Sequence, residues 1–251
     1  MQKNLLSIIT VVKNDEQNIR KTIKSILNQE NLKYEYIVID GQSKDNTLRE
    51  ILRFKNRISK IVSEKDKGIY YAMNKGIKIA KGDIIVFCNS GDIFYKNSLK
   101  KVIKLFNKHH YDFVFGTVLR NYKTTKILKY GFNFKRMLYN FDFATSHSTG
   151  FFLKKKIYKK IGLYNTSFKC SADYDLYFRL FKGNYNGAST KKNEIIGNVA
   201  SGGYSSKISF IDHILEESKI RIKNKQNFLI VLLIFINALI KNFLKNIFKT
   251  R

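Results

Sequence analysis

The stretch from Ser63 to Asp92, SEKDKGIYYAMNKGIKIAKGDIIVFCNSGD, decides the fold. Its hydrophobic pattern predicts the end of a strand, a helix, a second strand and a polar loop. Glu64, Asp66, Asn89 and Asp92 follow the two strand ends, and ligands of open α/β sheets bind beyond the carboxyl ends of the strands. Because hard cations prefer oxygen ligands, the set predicts a site for a metal-bound diphosphate. Each residue alone could equally be a helix cap or a turn former.

The alternation of strand and helix patterns continues on both sides of this stretch. Strands are expected at Leu5–Val12, Tyr34–Asp40, Ile58–Ser63, Ile84–Asn89 and Phe113–Leu119. The segments between them carry apolar residues at helical spacing. This order predicts an α/β fold with a mostly parallel central sheet and helices on both faces. We expect one domain over residues 1–206 and a helical tail over 207–251, with an acceptor-binding insertion or mobile loop near 121–143.

Composition indicates an anionic partner. Among 251 residues, 47 Lys and Arg against 19 Asp and Glu give a formal net charge of +28. Such a field favours nucleotide diphosphates, acidic lipid headgroups or nucleic acid. The two cysteines show no metal-ligand or disulfide spacing, and the N-terminal residues do not resemble a signal peptide. Both observations predict a cytoplasmic protein.

The motifs argue against three other classes of protein: dinucleotide enzymes, P-loop proteins and basic nucleic-acid-binding proteins. The chain lacks the G-x-G-x-x-G of dinucleotide enzymes and the P-loop GxxxxGK[ST], and its first strand ends in the acidic, glycine-free segment Val12–Glu16. A basic nucleic-acid-binding protein is the alternative that the charge leaves open. No RNP-like, zinc or helix-turn-helix motif supports it and the basic residues are dispersed, so we expect no nucleic-acid partner.

Three motifs carry a family resemblance. SEKDKGIYYAMNKGI followed by NSGD, DGQSKDNT at Asp40–Thr47, and SADYDLYFRL at Ser171–Leu180 resemble the family 2 glycosyltransferases. These are inverting enzymes with the GT-A fold, and the likeness is to the branch of colanic-acid and other surface-polysaccharide sugar transferases. It covers roughly the first four-fifths of the chain, a normal domain length.

The resemblance implies transfer of one sugar from a nucleotide-diphosphate sugar, commonly a UDP-sugar, to a hydroxyl of a glycan or lipid-linked acceptor. The expected pathway is the synthesis of a surface polysaccharide such as a capsule or O-antigen. Processive synthases of the family carry Q-x-x-R-W, which a chain with no Trp cannot contain. We therefore expect single transfers.

The resemblance also implies a nucleotide site. Its expected residues are Asn14, Glu16, Asp40, Asp66 and Asn89. Asp40 could instead form an Asx turn with the glycine that follows it.

The metal site departs from the common Asp-x-Asp-Asp pattern. Here the segment is Asn89-Ser90-Gly91-Asp92, which leaves Asp92 as the one carboxylate. Mg²⁺ or Mn²⁺ remains the expected cofactor, because phosphate oxygens and water supply most ligands of such ions.

Inverting transfer requires one base to take the proton of the acceptor hydroxyl. Asp173 matches the position of the catalytic base in the family, with Asp175 as the alternate or as a partner of Arg179 at i,i+4 spacing. Both acids could also be dipole-stabilising residues at a helix N-terminus. His147, in ATSHSTGFF, is the second predicted catalytic residue, in contact with diphosphate or acceptor, although a lone His is commonly structural.

The tail carries a separate signal. Phe228–Ile240 is almost wholly apolar, and Lys241, Lys245 and Lys249 recur every four residues after it. The continuous apolar run is shorter than the ~20 residues that span a bilayer. We therefore predict a basic amphipathic helix at an anionic membrane surface, which would make the protein peripheral on the inner face of the cell membrane. A helix that packs on the domain or on a second subunit is the alternative.

Overall fold

The computed structural model describes residues 4–122, 125–139 and 148–247, apart from the side chains of residues 205 and 246. Its strands are β1 Leu6–Val12, β2 Tyr34–Asp40, β3 Lys60–Ser63, β4 Ile84–Phe87, β5 Ile93–Phe94, β6 Phe113–Phe115, β7 Thr117–Asn121, β8 Lys126–Lys129, β9 Phe151–Lys154, β10 Gly187–Ser189 and β11 Ile195–Val199. Its α-helices are α1 Ile19–Leu27, α2 Thr47–Leu52, α3 Ile69–Ile79, α4 Leu99–Lys108, α5 Phe134–Tyr139, α6 Lys155–Ile161, α7 Ala172–Lys182, α8 Phe210–Lys223 and α9 Phe228–Ile247.

A central sheet organises the molecule, with strand order β10-β6-β9-β4-β1-β2-β3. Its pairings are parallel except for those of β9, which runs antiparallel to both β4 and β6. Strand β1 is buried along its whole length, as expected for a parallel strand covered by helices on both faces. Two apolar clusters fill the two faces of the sheet. The predicted α/β architecture and the first four strands are confirmed.

A second sheet was not expected from the sequence. It has the order β5-β11-β7-β8. The run Phe113–Leu119, predicted as one strand, divides at Gly116 into β6 of the central sheet and β7 of the second sheet. A Cβ at Gly116 would lie 2.2 Å from the Cδ1 atom of Ile196. The missing side chain therefore lets the chain pass from one sheet to the other.

Helix α8 is packed into the domain. Ile220 belongs to one of the two core clusters. The fully buried Arg221 donates hydrogen bonds to the carbonyl oxygens of Met137 and Leu138. The division at residue 206 stays a prediction, and these contacts favour a boundary after α8 instead.

Helix α9 meets the rest of the fold through a narrow stripe. Val231, Ile234 and Ala238 are buried where α9 packs on α8. The remaining apolar surface is broad and exposed, at Phe228, Leu229, Leu232, Leu233, Ile236, Ile240, Phe243, Leu244 and Ile247. An 18-residue window, Phe228–Lys245, with mean hydropathy 2.0, is long and apolar enough to cross a membrane by length and composition. The apolar segment is thus longer than the uninterrupted run suggested.

Candidate active site

A cleft of about 850 Å³ opens at the carboxyl edge of the central sheet. The parallel strands β1 to β4 end at this edge, and the second sheet and the first turn of α7 close its other side. Five of the predicted site residues line the cleft: Asn14, Asp66, Asn89, Asp92 and Asp173. The topology thus brings together polar residues that are up to 159 positions apart in sequence, from Asn14 to Asp173.

Asp66 and Asn89 each hold a buried acceptor atom that receives no hydrogen bond from a described residue. One carboxylate oxygen of Asp66 pairs with the Lys75 Nζ at 2.8 Å, but its Oδ2 atom is buried without a hydrogen bond among the described residues. The Oδ1 atom of Asn89 is likewise buried without a hydrogen bond from a described residue. An unsatisfied buried polar atom costs about 1–3 kcal/mol. Such atoms in a cleft indicate where a ligand's donors would bind.

The loops after β1 and β2 are tied together by the other predicted nucleotide residues. Asn14 has a left-handed backbone (φ 50°), and its Oδ1 accepts the Lys44 N–H at 2.8 Å. The Glu16 carboxylate accepts the Asn46 N–H at 2.7 Å, just before α2. These contacts hold one wall of the cleft in place.

Asp40 lies beneath that wall. It is fully buried, and its carboxylate accepts hydrogen bonds from the Ser43 N–H and hydroxyl and from the Ser63 hydroxyl. The Ser43 contacts form the Asx-type turn that the sequence left open. Neither Asp40 nor Glu16 lines the cleft in the described part of the structure, so nucleotide contact by these two residues stays a prediction.

Asp92 is the acidic residue of the loop after β4. It is 4% exposed, and its carboxylate accepts hydrogen bonds from the Thr149 hydroxyl and, at 2.9 Å, from the Ala200 N–H. Burial raises the pKa of Asp92 to about 6, against the opposing effects of these bonds and of the Arg120 charge. Within the described ranges, no group of three or more His, Cys, Asp and Glu side chains could hold a metal. The described residues therefore offer a divalent ion few ligands.

The two acids of α7 have different surroundings. Asp175 is buried and ion-paired to Arg179, with Nη2 2.8 Å from its Oδ2. Asp173 lines the cleft, where burial raises its pKa and the Tyr174 N–H and the charges of Arg120 and His213 offset part of the rise. An acid with a raised pKa and access to a cleft is suited to accept a proton. His213 lies on α8, close enough for its charge to act on Asp173.

Arg120 is a cleft residue that the sequence did not reveal. It stands near the end of β7, lines the cleft, and its charge lowers the pKa values of both Asp92 and Asp173. Its place follows from the strand break at Gly116, for which the predicted strand over 113–119 gave no signal. Of the remaining predicted residues, His147 lies outside the described residues.

Comparison with known proteins identifies the family. Residues 7–172 match the model described as Glycosyl transferase family 2, and the chain belongs to this family. The chain is 36% identical over 117 residues to the Escherichia coli UDP-Glc:alpha-D-GlcNAc-diphosphoundecaprenol beta-1,3-glucosyltransferase WfgD, over 46% of each chain. It is 29% identical over 188 residues to an uncharacterized glycosyltransferase of Rickettsia prowazekii, covering 71% of this chain and 59% of that one. The chain thus spans about half the length of these curated relatives.

Solved structures agree on the fold. S. aureus TarS 1-349 in complex with UDP-GlcNAc superposes with a TM-score of 0.70 at 15% identity, over 93% of this chain and 71% of that chain. The mannosyltransferase PcManGT from Pyrobaculum calidifontis, in complex with GDP-Man and Mn²⁺, gives a TM-score of 0.67 at 17% identity, over 94% of this chain and 68% of that chain. The predicted family and GT-A fold are confirmed.

Proposed function

We propose that this chain transfers one sugar, with inversion, from a nucleotide-diphosphate sugar to a hydroxyl of a glycan or lipid-linked acceptor in surface-polysaccharide synthesis. The observation that carries the proposal is the single cleft that joins Asp66, Asn89 and Asp92 to Asp173. The first three lie beyond parallel strands, where nucleotides bind in open α/β sheets. The fourth lies across the cleft, where an acceptor would approach the sugar.

The nucleotide would bind at the ends of β1, β3 and β4. The free Oδ2 of Asp66 and Oδ1 of Asn89 would accept hydrogen bonds from base and ribose. Asn14 lines the same wall, while Glu16 and Asp40 would act on the nucleotide mainly through the loops they hold. UDP is the proposed nucleotide, since the names of WfgD and of the TarS complex specify UDP-sugars.

A divalent cation, Mg²⁺ or Mn²⁺, would be held by Asp92, whose carboxylate is a hard oxygen ligand. When bound, the ion would neutralise charge on the leaving diphosphate. With so few protein ligands, we propose that it binds together with the donor. The Mn²⁺ of the PcManGT complex supports a metal in this fold.

Arg120 would contribute positive charge on the same side. Its charge acts on both Asp92 and Asp173, and it lines the cleft that the diphosphate would enter. A fixed cation stabilises negative charge that develops on a leaving group. Arg120 would thereby share the neutralisation of the diphosphate with the metal ion, which has fewer carboxylate ligands here than in Asp-x-Asp-Asp relatives.

Asp173 would be the base. It would take the proton of the acceptor hydroxyl while that oxygen attacks the anomeric carbon from the face opposite the diphosphate. The raised pKa of Asp173 strengthens it as a base, and the Arg120 and His213 charges favour its ionised form. Asp175, held by Arg179, would instead fix the helix.

We propose that the enzyme binds a membrane through α9. The exposed apolar face of α9 and the lysines at its end would place the enzyme on the anionic inner surface of the cell membrane. The acceptor named for WfgD is a diphosphoundecaprenol lipid. A chain truncated before Asn227 should leave anionic vesicles yet still use a soluble acceptor analogue. Unfolding of the truncated chain would instead make α9 part of the core or of a subunit interface.

A donor screen tests the proposal. The purified chain is heated with Mn²⁺ and a panel of nucleotide-diphosphate sugars, and the melting temperature is recorded. A donor that binds the folded state raises the melting temperature with concentration. The best donor is then assayed for transfer to lipid-linked and soluble acceptors. No stabilisation by any donor, together with salt-sensitive oligonucleotide binding, would refute the proposal.

A further inference from the structure

Helix α7, which carries Asp173, begins without help from its own N-cap residue. The side chain of Ser171 makes no capping hydrogen bond. The segment that leads into α7 is held instead by a side chain from outside the helix. In this fold the partner for the segment just before α7 comes from α8, about 45 residues later in the chain.

Glu216 of α8 supplies that partner. Its carboxylate accepts the backbone N–H groups of three consecutive residues, Lys169 at 2.6 Å, Cys170 at 2.9 Å and Ser171 at 3.1 Å. The Cys170 thiol donates to the same carboxylate at 3.1 Å. A carboxylate that accepts several N–H bonds at the start of a helix is favoured both as an acceptor and by the helix dipole.

The contacts also determine the charge of Glu216. Burial acts to raise its pKa, but the bonds from the Lys169, Cys170 and Ser171 groups outweigh it, and the pKa lies below the usual value. Glu216 is therefore ionised at neutral pH. A neutral side chain at this position could not accept three N–H groups in the same way.

We propose that Glu216 is a positioning residue for the catalytic base: by holding the Lys169–Ser171 backbone it fixes the first turn of α7 and the place of Asp173 in the cleft. The inference rests on the proposed function, in which Asp173 is the base. Only one residue lies between Ser171 and Asp173, so a shift of the anchored segment moves Asp173 with it. Glu216 itself does not line the cleft and acts through this backbone.

The test compares two Glu→Gln variants. Glu216→Gln keeps the size of the side chain and removes the charge. Glu194→Gln is the matched control, because the Glu194 carboxylate also accepts a backbone N–H, that of Lys191 at 3.0 Å, but in a loop away from α7. Melting temperature, UDP affinity, transfer kinetics and their pH dependence are measured for both.

A displaced base predicts a specific pattern for Glu216→Gln. Misplacement by about 1 Å costs on the order of 100-fold in rate, so kcat should fall about 100-fold while the KM for donor and the UDP affinity stay unchanged. The acidic limb of the kcat profile should move to lower pH, because an Asp173 that moves toward solvent loses part of the burial that raises its pKa. Glu194→Gln should match the wild type in every measurement.

A second readout separates this inference from the proposed function. The carboxyl ¹³C resonance of Asp173 is titrated in the wild type and in Glu216→Gln, with no substrate present. A lower Asp173 pKa in both Glu216→Gln and the charge-retaining Glu216→Asp supports positioning even if the wild type transfers no sugar, a result that would sink only the proposed function. The inference fails if Glu216→Gln keeps the wild-type kcat and the wild-type titration of Asp173. If Asp173→Asn is inactive in the same assays, the proposed function still stands. Should Glu216→Gln fail to fold, Glu216→Asp must show the same changes at smaller size.

Discussion

Two groups of oxygen-bearing side chains follow the strands of the central sheet, and their surroundings differ. On the β1–β2 side, Asn14, Glu16 and Asp40 accept hydrogen bonds from neighbouring loops. On the β3–β4 side, Asp66 and Asn89 each keep one buried oxygen without a partner in the described structure. Since residues of the same type occupy the same edge of one sheet, residue type alone does not separate a wall of the cleft from its ligand-binding surface.

The difference has an energetic meaning. A satisfied carboxylate stabilises the loop that donates to it, whereas a buried oxygen without a donor costs about 1–3 kcal/mol. Proteins tolerate such a cost where function requires it. We therefore expect mutations in the first group to act on stability and mutations in the second group, and at Asp173, to act on binding and rate.

The largest effect is expected at the base. Asp173→Asn removes the proton acceptor, and a general base contributes about 10²–10⁴-fold to rate. Transfer should fall by that factor while UDP affinity, measured by calorimetry, stays unchanged. Asp175→Asn provides the contrast, since it weakens the Arg179 ion pair and should lower the melting temperature before it lowers the rate per folded molecule. Normal transfer by Asp173→Asn would move the role of base to another residue.

The next effect concerns the metal. Asp92→Ala should weaken Mn²⁺-dependent UDP binding and reduce transfer together, on the order of 100-fold, because loss of even an outer-shell partner of a metal costs 10–100-fold. Mn²⁺ alone should bind the wild type weakly, since the donor completes its ligand set. Full wild-type activity in EDTA would contradict the metal assignment and leave the leaving-group charge to Arg120.

A matched pair sharpens the comparison between the two groups directly. Asp66→Asn removes a charged acceptor from the cleft and should weaken UDP binding about tenfold, or ~1.4 kcal/mol. Its melting temperature should fall less than that of Asp40→Asn, because Lys75 keeps its ion pair with Glu64. Asp40→Asn disturbs the bonds from Ser43 and Ser63 and should cost about 1–3 kcal/mol of stability. Thermal melts of both variants measure the change in stability, and UDP titrations measure the change in binding. The opposite pattern would show that Asp40 contacts the nucleotide and that Asp66 supports the fold.

The sequence predicted the parts of this site that depend on local pattern. Apolar periodicity located β1 to β4, and the strand ends then placed Asp66, Asn89 and Asp92 at one edge. It could not locate Arg120, because the division of the predicted strand at Gly116 depends on contact with Ile196, a residue 80 positions later. Nor could it show that Asp40 accepts three hydrogen bonds while Asp66 keeps a free oxygen, since hydrogen-bond partners are set by tertiary packing.

The smallest effect concerns an unpartnered oxygen outside the cleft. The Oε2 atom of Glu217, on α8, is buried without a hydrogen bond in the described structure. Burial raises its pKa from 4.5 to about 8, opposed by the Arg221 charge and increased by that of Asp173. At neutral pH this carboxyl is therefore protonated. At Glu217, protonation removes the charge that would be costly to bury. At Asp66 and Asn89, we assign the missing hydrogen bond to a ligand.

The free energy of unfolding should depend on pH because of that proton. Between pH 4.5 and about 8 the folded state keeps the proton of Glu217 that the unfolded chain has released, so the stability contributed by Glu217 falls as pH rises through this window and levels off above it. Glu217→Gln cannot ionise and lacks this loss. Its melting temperature should gain on the wild type as pH increases, by about 2–4 °C for each kcal/mol, while UDP affinity stays unchanged. Parallel melting curves from pH 5 to 9 would show that Glu217 is ionised in the fold, and weakened UDP binding by Glu217→Gln would instead place this oxygen among the ligand-binding group.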